Sequence, residues 1–226
     1  MDACFYSEIF AFSSEEQMAM DEWMLLQTEK RSIFGFRVYQ MVDTCTIGRN
    51  QKLAVIKKRT EGYKTLVRRP TGGGTVFHDD DLIYTLTIPS HHALYELKLG
   101  DLYYEIHSLV NRVCKYFSVE AELFDECVKT LPDFCFDSPN RFDLLNLRNG
   151  AKLGGSAIKK SKKGILIQGS LVAGFQMELF AGQFLKELKK AFSLKKIQKP
   201  IENPRTCCHW RDFCNQFTSD DWNFKL

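Results

Sequence analysis

The chain has 226 residues, 44% hydrophobic and 26% charged, an ordinary globular balance in a chain long enough to bury most of its apolar surface unaided. Lys and Arg exceed Asp and Glu by 31 − 28 = 3, too small a surplus to point to nucleic acid, and no run of about 18 uncharged apolar residues offers a membrane span. The opening MDACFYSEIFAF places Asp2 and Glu8 where a secretory signal carries positive charge, so the N-terminus is read as part of the fold, the compartment as cytoplasmic, and the eight cysteines as reduced thiols.

Ser13 with Glu16 forms a capping-box pattern, and Met18, Met20, Trp23, Met24 and Leu26 follow at mostly helical spacing, which predicts a helix over 14–30. Ile33–Val42 alternates as a strand does and runs into a turn over Thr46–Gln51. Leu66–Arg68 and Thr75–Phe77 read as short strands on either side of a glycine loop, and Leu82–Ile88 as a clearer, β-branched one. Leu102–Phe117 has apolar residues at helical intervals. Arg148-Asn149-Gly150 is a hairpin signal, with strands Ala151–Ile158 and Gly164–Val172 and a helix over Leu179–Phe192 after it. The class is α+β with a mixed sheet, and no repeat or linker divides it, so one domain over 1–226 is expected. The tail after Lys199 reads as irregular. Its Cys207, Cys208, His209 and Cys214 lack the spacing that lets separate ligands surround zinc, so no metal site is expected.

Three segments carry chemistry. In Arg68-Arg69-Pro70-Thr71-Gly72-Gly73-Gly74-Thr75-Val76-Phe77-His78-Asp79, three consecutive glycines destabilise any regular element. The backbone there must adopt positive φ or approach something closely. Its N–H groups and Arg69 could hold a carboxylate or phosphate, although a tight turn with two surface arginines explains the same residues, and neither a Walker A loop nor G-x-G-x-x-G is present. In Asn149-Gly150-Ala151-Lys152-Leu153-Gly154-Gly155-Ser156-Ala157, Lys152 on a strand could stabilise negative charge on an acyl oxygen, or lie in solvent. Gly164–Ser170 is an apolar strand ending in Gln168-Gly169-Ser170.

Together, in this order, the three segments resemble the lipoate-protein ligase A and octanoyltransferase family of the biotin and lipoate protein ligase superfamily. The pattern RR-x-[ST]-GGG-x-V-x-HD, then K-[IL]-x-G-[ST]-A, then polar-Gly-[ST], is met in full, and Met20-Asp21-Glu22 and Gly48-x-x-Gln51 match the family's first helix and turn, so the likeness spans about residues 8 to 175. The resemblance implies a mixed, largely antiparallel sheet flanked by helices. It implies attachment of a lipoyl or octanoyl group in amide linkage to a lysine of lipoyl domains, on 2-oxoacid dehydrogenase E2 subunits or the glycine-cleavage H protein. By position, Arg69, Thr71, Gly72, Gly73, Gly74 and His78 would contact the acyl ligand. Lys152 would stabilise the oxyanion, and Gly155, Ser156, Ala157 and Lys159 would complete the site. Gln168 stands where the family commonly has histidine. The biotin branch shows G-R-G-R-x-G instead and is ranked last.

Two chemistries share such a scaffold. A ligase uses ATP and Mg to make an acyl-adenylate from free lipoate. A transferase takes octanoate from acyl carrier protein, needs no cofactor, and in one branch parks it on an enzyme cysteine. Phe134-Cys135-Phe136-Asp137-Ser138-Pro139 lies where that branch carries C-F-x-x-P, so Cys135 is a candidate nucleophile, with a packing role as the alternative. Three consecutive glycines resemble the ligases, whereas Asp80-Asp81-Leu82 lacks their Gly-Asn. The C-terminal accessory domain of many ligases is not expected in a chain of this length. The ligase is taken as the main expectation, with the Cys135 transferase and a non-catalytic binder of lipoyl-domain proteins as alternatives. The lysines at 159–163 and the basic stretch 186–199 are solvated faces unless they guide an acidic partner.

Overall fold

The computed structural model describes residues 2–5, 12–126, 133–198 and 203–224. Glu8, the start of the family likeness and Lys199 lie outside the described residues. The elements run β1 (Ala3–Phe5), α1 (Ser14–Arg31), β2 (Phe34–Tyr39), β3 (Thr44–Ile47), α2 (Leu53–Thr60), β4 (Thr65–Arg68), β5 (Val76–His78) and β6 (Leu82–Pro89). Then come α3 (Ala93–Glu96), α4 (Leu99–Tyr116), β7 (Ala121–Leu123), β8 (Leu144–Asn146), β9 (Lys152–Ser161) and β10 (Gly164–Leu171). The chain continues through α5 (Met177–Ala191), β11 (Ile197–Gln198), α6 (Trp210–Thr218) and α7 (Asp220–Asn223).

Eight strands form one sheet in the order β11-β1-β2-β6-β10-β9-β8-β7, and β4-β3-β5 form a second. Both are mixed: β1 runs parallel to β11 and β2, and β3 to β4, while the other pairs are antiparallel. The expected α+β class with a mixed, largely antiparallel sheet is what forms. The strands around the glycine loop belong to the small sheet, which the sequence reading had not separated from the large one.

α1 begins as its pattern predicts: the Ser13 side chain accepts from the Glu16 N–H and the Glu16 carboxylate accepts from the Ser13 N–H. Its Met18, Trp23 and Met24 bury against Tyr39, Ile83 and the tail's Trp210 and Phe217. On the opposite side α4 and α5 supply Leu102, Ile106, Val110, Phe180 and Phe184 to a larger core with Phe36, Tyr84, Leu86 and Ile167. Central strands β2, β6 and β10 are therefore buried at every position, and the alternation expected for 33–42 does not survive, because helices cover both faces.

Three differences from the sequence reading have local causes. Thr46 and Ile47 belong to β3, so the expected turn begins only at Gly48. α2 escaped notice because it buries only Ile56 and Thr60 and has no side-chain cap. The tail is not irregular: α6 packs its Trp210 and Phe217 onto α1, and Trp222 and Asn223 of α7 bond to Arg68. No described helix is long and apolar enough to cross a membrane.

Candidate active site

The β9–β10 hairpin aligns the second and third motifs directly, with Gly155 opposite Ser170, Ser156 opposite Gly169 and Ala157 opposite Gln168. Opposite them stands the glycine loop. Gly73 has φ +83°, and its carbonyl packs so close to Gly48 that a β-carbon there would lie 1.9 Å from the Gly73 oxygen. Positive φ and close approach are what the triple glycine predicted. Cys135 is tied to the same loop: Thr75 N–H donates to the Asp133 carbonyl at 2.7 Å and Cys135 N–H to the Thr75 carbonyl at 2.8 Å, a parallel bridge. Gln51 of the Gly48-x-x-Gln51 turn adds a bond from Nε2 to the Asp133 carbonyl, 2.7 Å, and accepts from Thr75 Oγ1 and Gly48 N–H.

These pieces enclose one pocket. Its lining combines the polar Lys152, Cys135, Tyr103 and Ser156 with the side chains of Met18, Tyr39, Met41 and Ile83. Of the residues singled out from sequence, Arg69, Gly73, His78, Cys135, Lys152, Gly155, Ser156, Ala157 and Gln168 line it. Thr71, Gly72, Gly74 and Lys159 stand outside that lining. Thr71 donates to Gln168 Oε1 at 2.6 Å, the Gly72 and Gly74 carbonyls accept from Arg69, and the Lys159 ammonium pairs with Glu22. The hairpin tip at 162–163 closes the end of β9 opposite Lys152, about 30 Å away at ~3.3 Å per residue, while Lys160 sits over the Tyr95 ring.

Lys152 is neither solvated nor free. Its Nζ lies 2.6 Å from Asp143 Oδ2 and donates to the Cys135 carbonyl at 2.6 Å, leaving one of three ammonium hydrogens for the pocket. A β-carbon at Gly155 would lie 2.7 Å from Asp143 Oδ1 and 3.1 Å from Lys152 Nζ, so glycine there is the condition for this ion pair to lie across β9. Asp143 also accepts from the Asn140 N–H at 2.6 Å and from the Tyr103 hydroxyl. Burial, with Asp143 beside it, holds the Tyr103 phenol well above its usual range, so it stays a neutral donor. It accepts in turn from Ser156 N–H at 3.0 Å.

Ser156 Oγ meets His107 Nε2 at 2.9 Å, and His107 Nδ1 meets the Phe142 carbonyl at 2.7 Å. A carbonyl only accepts, so Nδ1 carries the proton and Nε2 accepts from the Ser156 hydroxyl. Burial pushes the His107 pKa down to about 4, more than the neighbouring Asp143 raises it, so the ring is neutral. Gln168, in the place of the family's histidine, bridges Thr71 to Asp21 Oδ2 at 2.5 Å, and Asp21 is buried on Arg37, 2.8 Å away. Asp143, Tyr103, His107 and Thr46 were not singled out from sequence: Tyr103 and His107 are ordinary positions of the amphipathic α4, Asp143 lies in the connection before β8, and Thr46 was read only as the start of a turn.

A family model described as the lipoyl protein ligase A/B catalytic domain matches residues 13–222. Octanoyltransferase LipM of Oceanobacillus iheyensis is 31% identical over 187 residues, covering 76% of this chain and 67% of its own length. LipM of Macrococcus caseolyticus is 30% identical over 200 residues, covering 80% and 72%. Among solved structures, a T. acidophilum lipoate protein ligase-type protein with bound lipoic acid superposes with TM-score 0.72 at 15% identity, and lipoate-protein ligase A bound with ATP with TM-score 0.74 at 15%, each over 100% of both chains. At such identities the structures share the fold.

Proposed function

This chain belongs to the lipoyl protein ligase A/B catalytic-domain family, and from that premise we propose that it transfers an octanoyl group from a carrier-protein thioester, through Cys135, to a lysine of a lipoyl domain. The observation that carries the reading is the pairing of Cys135 and Lys152 in one pocket, with Lys152 Nζ 2.6 Å from the backbone carbonyl of Cys135 itself. The LipM relatives, named octanoyltransferases, favour this donor over free lipoate and ATP.

In the first half-reaction the Cys135 thiolate attacks the thioester carbonyl and the carrier's sulfur leaves as a thiolate, so the acyl group sits on Sγ. In the second, the target lysine amine attacks that thioester, loses a proton and expels the Cys135 thiolate, forming the amide. Negative charge develops on the same carbonyl oxygen both times. The remaining Lys152 hydrogen, fixed by Asp143 and the Cys135 carbonyl, is positioned to meet it without reorganisation. The acyl chain extends toward Met18, Met41 and Ile83, where apolar contacts exclude water.

The residues suit an acyl thioester better than a magnesium-bound triphosphate. Asp143 already accepts from Lys152, Tyr103 and Asn140, so this carboxylate is committed to fixing the lysine and the phenol beside Cys135, and no step is routed through nucleotide. The test is incubation with an apo lipoyl domain and either octanoyl carrier protein or lipoate with Mg-ATP, followed by intact-mass measurement. Modification from the carrier protein, abolished in Cys135→Ser, supports the transferase. Modification only with ATP assigns a ligase instead.

A further inference from the structure

Arg69 is a buried cation, 5% exposed, and burial lowers its pKa. Among the described residues the groups that favour its charged form are Cys135, Cys45 and Tyr39, none of them a carboxylate. Cys45 is buried and its thiol is pushed up to about 12, and burial likewise drives the Tyr39 phenol upward, so both stay neutral. Beside its bonds to the Gly72, Gly74 and Thr46 carbonyls, Arg69 heads a directed chain of side chains. Its Nη1 donates to Thr46 Oγ1 at 3.2 Å, Thr46 Oγ1 lies 2.8 Å from His78 Nε2, and His78 Nδ1 lies 2.8 Å from Asp81 Oδ2. With one ring proton on Nδ1, facing the carboxylate, each group donates to the next from Arg69 to Asp81. His78 and Asp81 are 4% and 3% exposed.

Asp81 supplies a second, independent observation. Its Oδ2 accepts from His78 and Ser170, while Oδ1 is buried without a partner. A half-satisfied buried carboxylate is destabilising, and a chain selected for stability alone would place a neutral group here. At the other end, Arg69 Nη2 lies 4.0 Å from Cys135 Sγ, and both donate to the Gly74 carbonyl, at 2.5 and 3.1 Å. An ionised sulfur cannot remain against a carbonyl oxygen, and the guanidinium is the cation beside it. Lys152 reaches the Cys135 backbone, not its sulfur, and is matched by Asp143.

We propose that Asp81, His78 and Thr46 are positioning residues that hold Arg69 against Cys135, and that Arg69 is the counterion of the Cys135 thiolate. This rests on Cys135 being the nucleophile, yet it assigns His78 to the relay and Asp81 and Thr46 to catalysis at a distance. Low-dielectric surroundings let the carboxylate charge at one end orient the cation at the other.

The experiment measures iodoacetamide alkylation of Cys135 as a function of pH, read by peptide mass spectrometry in the full chain, for the parent, Thr46→Val, Asp81→Asn and Thr46→Ser. The proposal expects the Cys135 midpoint to rise by about one pH unit in Thr46→Val and Asp81→Asn, so alkylation below the midpoint slows about tenfold. Thr46→Ser, which keeps the hydroxyl, should restore the parent curve, while in Thr46→Val and Asp81→Asn acyl transfer should lose kcat with KM unchanged. Folded Thr46→Val and Asp81→Asn proteins with the parent curve would overturn it, as would an equal slowing in Thr46→Ser. Should Thr46→Val not fold, Asp81→Asn, nearly identical in shape, decides alone. Transfer surviving in Cys135→Ser would sink the transferase reading, while the alkylation curve still reports on the relay.

Discussion

The ammonium of Lys152 and the carboxylate of Asp143 face each other at 2.6 Å with side chains 4% and 0% exposed. Removing one partner of such a pair strands a buried charge, at a cost of about 3 to 5 kcal/mol. A Lys152→Ala variant should therefore lose both acyl transfer and stability. The double variant Lys152→Ala/Asp143→Asn should regain much of the stability in a thermal melt and none of the transfer. Full transfer in the folded double variant would show that Lys152 is not needed for the chemistry. Affinity for the lipoyl domain, measured by calorimetry on the same protein, separates an enzyme from a binder.

Gly48 and Gly72 should respond differently to the same added methyl. Alanine at Gly48 places a β-carbon 1.9 Å from the Gly73 oxygen, whereas nothing lies within 4 Å of one at Gly72. Gly48→Ala is expected to displace the loop and lose transfer with more than about 2 kcal/mol of stability. Gly72→Ala should melt within about 0.5 kcal/mol of the parent. Equal melting temperatures for the two would count against the tight loop contact.

His107 predicts an acid-sensitive fold. Its pKa is about 4 in the folded chain against an ordinary 6.5, so between those values the unfolded chain binds a proton that the folded chain does not. Its contribution is complete above pH 6.5 and is lost as pH falls toward 4, on the order of 3 kcal/mol. Denaturant titrations from pH 7 to 4 should show this slope in the parent and a flatter one in His107→Asn. Parallel slopes would rule out the buried neutral ring.

The C-terminal helix should matter to the glycine loop. Asn223 Oδ1 accepts from the Arg68 N–H at 2.8 Å, and Trp222 Nε1 donates to the Arg68 carbonyl at 2.7 Å. Asn223→Ala leaves a buried N–H without its acceptor, a loss of about 1 to 3 kcal/mol. Hydrogen exchange should rise at β4 in that variant; an unchanged exchange pattern would mean that α7 is not the support of Arg68.

Much of the protein is legible in the sequence because the signals are short-range. The Ser13–Glu16 box needs four residues, the helical stripes of α4 and α5 need three turns, and the triple glycine announces a positive φ and a close approach that Gly73 and Gly48 realise. Lys152 and Cys135 stand out against local motifs, so sequence alone names them.

Their partners were decided by tertiary structure. Arg69 and Cys135 are 66 positions apart, Thr46 and His78 are 32 apart, and Ser156 and His107 are 49 apart. Those meetings depend on strand register and on the Thr75–Phe134 bridge, which no local pattern encodes. Lys152 looked like a possible solvent lysine for the same reason. Its burial and its ion pair exist only once β9 and the segment carrying Asp143 are laid together with a glycine, Gly155, between them.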